Sequence, residues 1–391
     1  MNMRVDNAAA GFERLFGRKS EVVISAPGRT EVGGNHTDHQ RGRVLAAAVN
    51  LDILCVAAKR GDGVIRIRSE GYSQDIVDTA ELSVREEETG RSSALIRGVA
   101  AWFAEHGHAI GGFDAYTVSD VTGGSGLSSS AAFENAVGYT LKALYGSGIS
   151  PVEIAKAGQY AENVFFGKPS GLMDQMASSV GGFTMLDFEN PSEPVIEKIE
   201  NPLDGYSLCI VNSGGSHANL TPDYAAIPDE MRRIAAHFGK EYLREVDSTE
   251  FSREIAALRR YGDRAVLRAM HFFDENERVL FQARALRENH VGDFLEMVID
   301  SGRSSVSCLQ NIYPVSSPDE QGLSLALAVS ERLLRGVGAW RVHGGGFAGT
   351  ILCFMPEDYR DRYKDGVEAV FGEGCCSFLS IRHSGGVYTF S

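Results

Sequence analysis

The densest chemistry in the chain lies in Gly123-Gly124-Ser125-Gly126-Leu127-Ser128-Ser129-Ser130, which runs straight into Ala131-Ala132-Phe133-Glu134-Asn135-Ala136. Glycines let backbone N–H groups close on an anion with no Cβ in the way. Serine hydroxyls add donors or a metal ligand, and the helix that follows aims its positive end at the same point. A polyphosphate is the ligand such a loop suits. No Lys follows a second glycine at Walker A spacing, so this is a cradle of another kind. A Gly/Ser turn that merely caps a helix has the same composition, and only other motifs decide between the two.

Two further glycine-rich segments carry polar chemistry. One is Ala26-Pro27-Gly28-Arg29 followed by Gly33-Gly34-Asn35-His36-Thr37-Asp38-His39-Gln40; the other is Arg341-Val342-His343-Gly344-Gly345-Gly346-Phe347-Ala348-Gly349.

The elements that must position these segments are legible in part. Val22 to Ala26 reads as a strand ending at Pro27-Gly28. Val44 to Ala58 is an apolar run suited to a buried strand, and Val64 to Arg68 alternates as a half-exposed one. Ser92 to His106 has helical spacing, and Phe113 to Val118 is a strand delivering the chain to the glycine loop. Ser150-Pro151-Val152-Glu153 is a helix start, with Ser as N-cap, Pro first and Glu three residues after the cap. That helix should carry Ile154, Ala157, Ala161 and Val164 on one face and Glu162 near its end; a lone Glu there is ordinarily solvated. Gly181 to Phe188 and Tyr206 to Asn212 read as strands, Pro228 to Met297 as charged helix, and Ser317 to Arg335 as one more helix. Gly344 to Gly349 should open a final strand pair. Strands early and helices later favour α+β, with a domain boundary between Phe188 and Tyr206.

The 391 residues suffice for two domains. A net charge of −14 argues against a general nucleic-acid binder, though a local basic pocket can still hold an anion. No signal peptide and no apolar run of membrane length is visible. The six cysteines form no CxxC pair and read as reduced thiols, which with the rest suggests a cytoplasmic protein.

The order and content of the three glycine-rich segments resemble the GHMP kinases, and the likeness is greatest to galactokinases. Phe12-Glu13-Arg14-Leu15-Phe16-Gly17, His36-Thr37-Asp38, Gly171-Leu172-Met173-Asp174-Gln175, and Asn212-Ser213 with His217 and Tyr224 each match that family in order. The resemblance implies an α+β two-domain GHMP kinase fold. Its ribosomal-protein-S5-like amino-terminal domain would span 1–195 and its ferredoxin-like carboxyl-terminal domain 196–391. It implies ATP, Mg2+ and a small sugar as ligands, with phosphorylation at the anomeric hydroxyl. No nucleic-acid or membrane partner is expected, and the chain would be a monomer or weak homo-oligomer.

By the same resemblance Asp174 faces the anomeric hydroxyl with Arg29 beside it. Ser130 and Glu162 hold the metal. Gly124, Ser125, Gly126, Leu127, Ser128, Ser129 and Ser130 cradle ATP, with Ser69 as a further nucleotide contact. Asn35, His36, Thr37 and Asp38 bind the sugar, and Tyr224 closes over it.

Departures fall on the sugar side. Glu31 stands where galactokinases have Asn, Asn35 where they have Glu, and His39 where they have Tyr. Asp38-His39-Gln40 also resembles the galacturonokinases, in which the residue at position 35 is likewise neutral; Arg41 and Arg43 would then meet a uronate. Galactose, a uronic acid and a non-catalytic sugar-sensing role thus stand as alternatives. The sensing role is disfavoured by the presence of Arg29, Glu162, Asp174 and the whole glycine loop. The usual Arg-Arg after Tyr224 is displaced to Arg232-Arg233, Trp340 resembles a one-residue insertion, and Ala348 replaces a glycine.

Overall fold

A computed structural model describes residues 3–121, 126–168, 170–200, 203–215 and 220–390. Gly123, Gly124, Ser125 and His217 lie outside them. The chain opens with α1 (Met3–Phe16), then β1 (Val22–Gly33), β2 (Arg43–Lys59), β3 (Val64–Ser69) and β4 (Gln74–Asp78). α2 (Ser92–Glu105), β5 (Phe113–Ser119), α3 (Ser129–Tyr145), α4 (Pro151–Tyr160), α5 (Met173–Val180), β6 (Phe183–Asp187) and β7 (Val195–Ile199) follow. The second half runs β8 (Tyr206–Asn212), α6 (Thr221–His237), α7 (Ser248–Leu258), α8 (Asp263–Arg287) and α9 (Val291–Ser304). It ends with α10 (Gly322–Leu334), β9 (Ala339–Val342), β10 (Thr350–Pro356), α11 (Arg360–Phe371), β11 (Cys376–Leu379) and β12 (Val387–Phe390).

Two sheets organise these elements. The larger has the order β12-β1-β2-β5-β3-β4, with β6 joined to β2 and β7 to β6; the smaller is β11-β8-β10-β9. The α+β architecture agrees with expectation, but a cut at 195/196 runs through β7. Moreover β12, from the end of the chain, pairs with Val22–Ser25 of β1. The physical reason is edge pairing: β1 would otherwise present an open row of N–H and C=O groups. The two halves also share a core, in which Leu45, Ala47 and Phe183 meet Leu208, Leu352, Phe354 and Phe294.

Several elements depart from their expected limits. β1 does not stop at Pro27 but continues to Gly33, with register shifts between Pro27 and Arg29 and between Glu31 and Gly33. Pro27 lies beyond the residues that β12 pairs, so its missing N–H leaves no partner unsatisfied on that edge. The last expected helix is shorter, and Gly344 to Gly349 connects β9 to β10 rather than opening a pair. α1 lays Val5, Ala8, Phe12 and Phe16 against Leu54, Val56 and Ala58 of β2, closing one face of the sheet.

The cap of α4 matches its sequence: Ser150 Oγ accepts from Glu153 N at 3.2 Å, and Glu153 Oε2 accepts from Ser150 N at 2.8 Å. Beyond Tyr160, however, the helix passes into a π turn over Ala161–Phe166. Ile154, Ala157 and Ala161 are buried as expected, whereas Val164 is exposed and Phe165 buried in its place. The wider turn alters the helical register, and Glu162 is 2% accessible instead of solvated. Ser150→Ala should lower stability by about 1 kcal/mol, the usual value of an N-cap. Denaturant melts of the two proteins measure this.

Candidate functional site

Three chain segments converge at the start of α3. Ser128, the residue before that helix, has φ +56° although it is not glycine. Its hydroxyl caps no backbone group of its own helix; it donates to Asp174 Oδ2 at 2.5 Å. The left-handed backbone costs about 1–2 kcal/mol. It accompanies a hydroxyl delivered to the first turn of α5.

Arg29 completes the junction from β1. Its Nε donates to Asp174 Oδ1 at 2.6 Å, its Nη1 to the carbonyl of Gly126, and its backbone N–H to Leu127 O at 3.1 Å. Burial alone would push the Asp174 carboxyl up. The charge and hydrogen bond of Arg29, the Ser128 hydroxyl and the charge of Lys168 outweigh it and hold the group below its usual range. Arg29 is 7% accessible and Asp174 27%, so the carboxylate is the open side of the pair.

A second carboxylate cluster adjoins the loop. Glu162 Oε1 accepts from Ser130 Oγ at 3.0 Å and Lys168 Nζ at 2.8 Å; its Oε2 accepts from Ser170 Oγ at 2.7 Å and Gln175 Nε2 at 3.0 Å. Gln175 also donates to Glu134 Oε2 at 3.0 Å. Burial, then the charge of Glu162, raises the Glu134 carboxyl well above its usual range. Ser69 ends β3, where its Oγ accepts from Thr117 at 2.8 Å; no described hydrogen bond joins it to this cluster.

The sugar-side residues separate into different environments. Asp38 lies against the backbone of Gly171, where any Cβ would collide with its carboxylate. Burial first, then Asp174 and Glu31, pushes its pKa up to about 7. The Thr37 hydroxyl is spent on the turn, its one proton facing the carbonyls of Gly34, at 2.8 Å, and Arg43. His36 bridges His39 at 3.1 Å and Gly345 O at 3.0 Å, and burial lowers its pKa to about 4. Tyr224 Oη donates to Gly346 O at 2.9 Å with its ring edge on Phe347, so it anchors the third glycine segment. Asn35 is fully buried.

The charges expected to meet a uronate are occupied. Arg43 Nε donates to Asp187 at 2.7 Å, while Arg41 lies 3.7 Å from Glu245 and over the Tyr242 ring. Sequence reasoning missed Lys168 and Ser170, which the chain just past the π turn folds back onto Glu162, Gln175 and Glu134, which tertiary packing brings there, and His343. Glu31 N donates to His343 Nε2 at 3.3 Å, so the ring proton resides on Nδ1, 3.1 Å from Thr350 Oγ1. No local spacing signals these partners.

A glycine-rich sequence whose described end, Gly126 to Ser128, lies between a Ser–Glu pair and an Arg–Asp pair, on this two-sheet fold, defines a kinase of the GHMP class. The family model of the GHMP kinases N terminal domain matches residues 94–182, and that of the galactokinase galactose-binding signature matches residues 10–59. A galactokinase of Glaesserella parasuis serovar 5 (strain SH0165) is 33% identical over 351 residues, covering 89% of this chain and 88% of the relative. One of Streptomyces coelicolor (strain ATCC BAA-471 / A3(2) / M145) is 30% identical over 365 residues, covering 92% and 91%. The chain belongs to the galactokinase family, and is accordingly a sugar kinase that uses ATP. In fold it is similar to Lactococcus lactis galactokinase complexed with galactose, at a TM-score of 0.85 and 23% identity over 99% of this chain and 100% of that one. A mevalonate kinase shares the fold at a TM-score of 0.65 and 14% identity, over 93% of this chain and 99% of that one.

The raised Asp38 pKa has a consequence for stability. The fold holds this proton more tightly than the unfolded chain does, so the ionised group disfavours the fold as pH rises through about 7. Asp38→Asn should therefore be more stable than wild type at pH 8, by on the order of 1–2 kcal/mol given partial solvent screening, with the difference vanishing near pH 4. Thermal melts across that range test it.

Proposed function

We propose that the protein transfers the γ-phosphoryl group of ATP to the anomeric hydroxyl of galactose, giving galactose 1-phosphate. The observation that carries this reading is the Arg29–Asp174–Ser128 junction beside the glycine loop, with Asp38 next to it. The C1 hydroxyl lies against the accessible side of Asp174. A carboxylate held below its usual range is a weak base. Phosphoryl transfer is loose, however, so orienting the hydroxyl and receiving its proton late in the step suffice. Arg29 keeps Asp174 ionised and offsets charge on the moving group. Asp38, which titrates at about 7, offers its carboxyl oxygens to sugar hydroxyls.

Glu162 and Ser130 suit Mg2+: both offer oxygen, they lie 3.0 Å apart, and a cation, the Lys168 ammonium, already sits on the same carboxylate oxygen. Bound there with ATP, the ion neutralises phosphate charge. Among the described residues no three His, Cys, Asp or Glu side chains gather into a cage, which suits an ion held largely by phosphates and water. Two observations favour galactose over a uronate. Arg41 and Arg43 are engaged by carboxylates, and Glu31, Asp38 and Asp174 would repel a further one. All six cysteines are free, which suits the reducing cytoplasm, and no described helix is long and apolar enough to cross a membrane.

ATP consumption with Mg2+ and either galactose or galacturonate should show turnover of galactose; preference for galacturonate would overturn the substrate reading. Asp174→Asn should reduce kcat by roughly 10²–10⁴, the scale of a positioned proton-transfer group, with ATP binding retained and the melting temperature lowered because Arg29 loses its counter-ion. Lys168→Ala should lower the Mg2+ concentration giving half-maximal rate severalfold, since it removes a competing positive charge. A magnesium titration of the initial rate reads this out.

A further inference from the structure

Glu31 on β1 and Asn35 in the turn beyond it depart from the family signature together, and the structure shows why. Their side chains touch: Asn35 Nδ2 donates to Glu31 Oε1 at 2.9 Å. By the resemblance stated above, galactokinases have Asn and Glu at these two positions; here Glu31 and Asn35 present the same carboxylate and amide with their places exchanged. The surroundings admit one charge across the pair. Glu31 Oε1 accepts from Arg341 Nη2 at 2.7 Å, while Arg341 spends Nε and Nη1 on Val342 O and Val32 O, each at 2.9 Å. Arg341 has no accessible surface, so two amides would leave its charge buried without a counter-ion. Two carboxylates would leave one of theirs unmatched.

Asn35 uses every capacity of an amide. Nδ2 also donates to Gly344 O at 2.7 Å, and Oδ1 accepts from Asn311 Nδ2 at 2.9 Å and Ser305 Oγ at 3.4 Å. A carboxylate there would face the Gly344 carbonyl and Glu31 with nothing to donate. It therefore has no capacity left to read a sugar. Glu31 does: Oε2 takes no hydrogen bond from the described residues, and 3% of the residue stays accessible, two positions beyond Arg29.

We propose that Glu31 and Asn35 form one exchangeable carboxylate–amide unit, in which Glu31 offers Oε2 to a galactose hydroxyl and Asn35 locks that wall of the pocket to the Gly344 loop. Glu31 is then the specificity-determining residue and Asn35 a positioning residue. The proposal rests on galactose as substrate.

The test compares wild type with E31N, N35E and the exchanged double variant, measuring kcat, KM for galactose, KM for ATP and melting temperature. Each single variant should raise KM for galactose about 10- to 100-fold, the worth of one or two charge-assisted hydrogen bonds, with KM for ATP unchanged. The double variant should return to within about tenfold of wild type, because it restores one carboxylate and one amide. A double variant as impaired as the product of the singles overturns the proposal, as does an unchanged galactose KM in E31N. Should a single variant fail to fold, E31Q keeps the size of the side chain and removes its charge; an unchanged galactose KM there overturns the proposal equally. A wild-type enzyme inactive on galactose removes the substrate reading instead. The coupling is then read from melting temperatures alone, and additive changes overturn it.

Discussion

The ion pair between Arg29 and Asp174 is the constraint on which the rest of the site depends. One partner comes from β1 and the other from α5, 145 residues later, and both are tied to the end of the glycine loop through Gly126 and Ser128. Enclosing a guanidinium costs free energy that one carboxylate rarely recovers, so such a pair persists where further hydrogen bonds complete it. Here the Gly126 carbonyl and the Ser128 hydroxyl do so. The secondary structure around it is secured separately: Ser178 Oγ bonds Pro27 O at 2.6 Å, and Asn135 Nδ2 bonds Gln175 O at 3.0 Å. Strand, loop and both helices thus meet with little freedom to shift, which an in-line transfer of a phosphoryl group requires.

Around this pair the charges are nearly balanced and finely divided. Arg29 faces Asp174, Arg341 faces Glu31, and Lys168 faces Glu162. Asp38 and Glu134, which have no cation of their own, are pushed upward in pKa, and burial raises Glu31 as well despite Arg341. Among the described residues Arg29, Arg341 and Lys168 are each matched by a carboxylate, and the site has carboxylate oxygens for neutral hydroxyls. The neutral imidazoles of His36, half-buried, and His343, buried, extend the polar lining without adding charge.

Strands with clear apolar runs, the capping box at Ser150 and the glycine segments were legible in the amino-acid sequence because each depends on neighbours within a few residues. Arg29, Asp174, Ser130 and Glu162 were identified through motif resemblance and do come together as two adjacent pairs. What the sequence determined by itself was therefore the inventory: a phosphate-type loop, the strand that leads into it and the helix that follows, Arg29 just past an expected strand end, and the separate departures at positions 31 and 35. Tertiary structure alone decided how that inventory is used. It turned Glu162 inward through a π turn, carried the last strand back to the first sheet, and brought Lys168 and Gln175 onto the same carboxylate. It also joined Glu31 to Asn35 and both to the Gly344 loop. Hydrogen bonds and charges between residues distant in sequence leave no periodic trace along the chain, so their partners emerge only when packing brings them within about 3 Å.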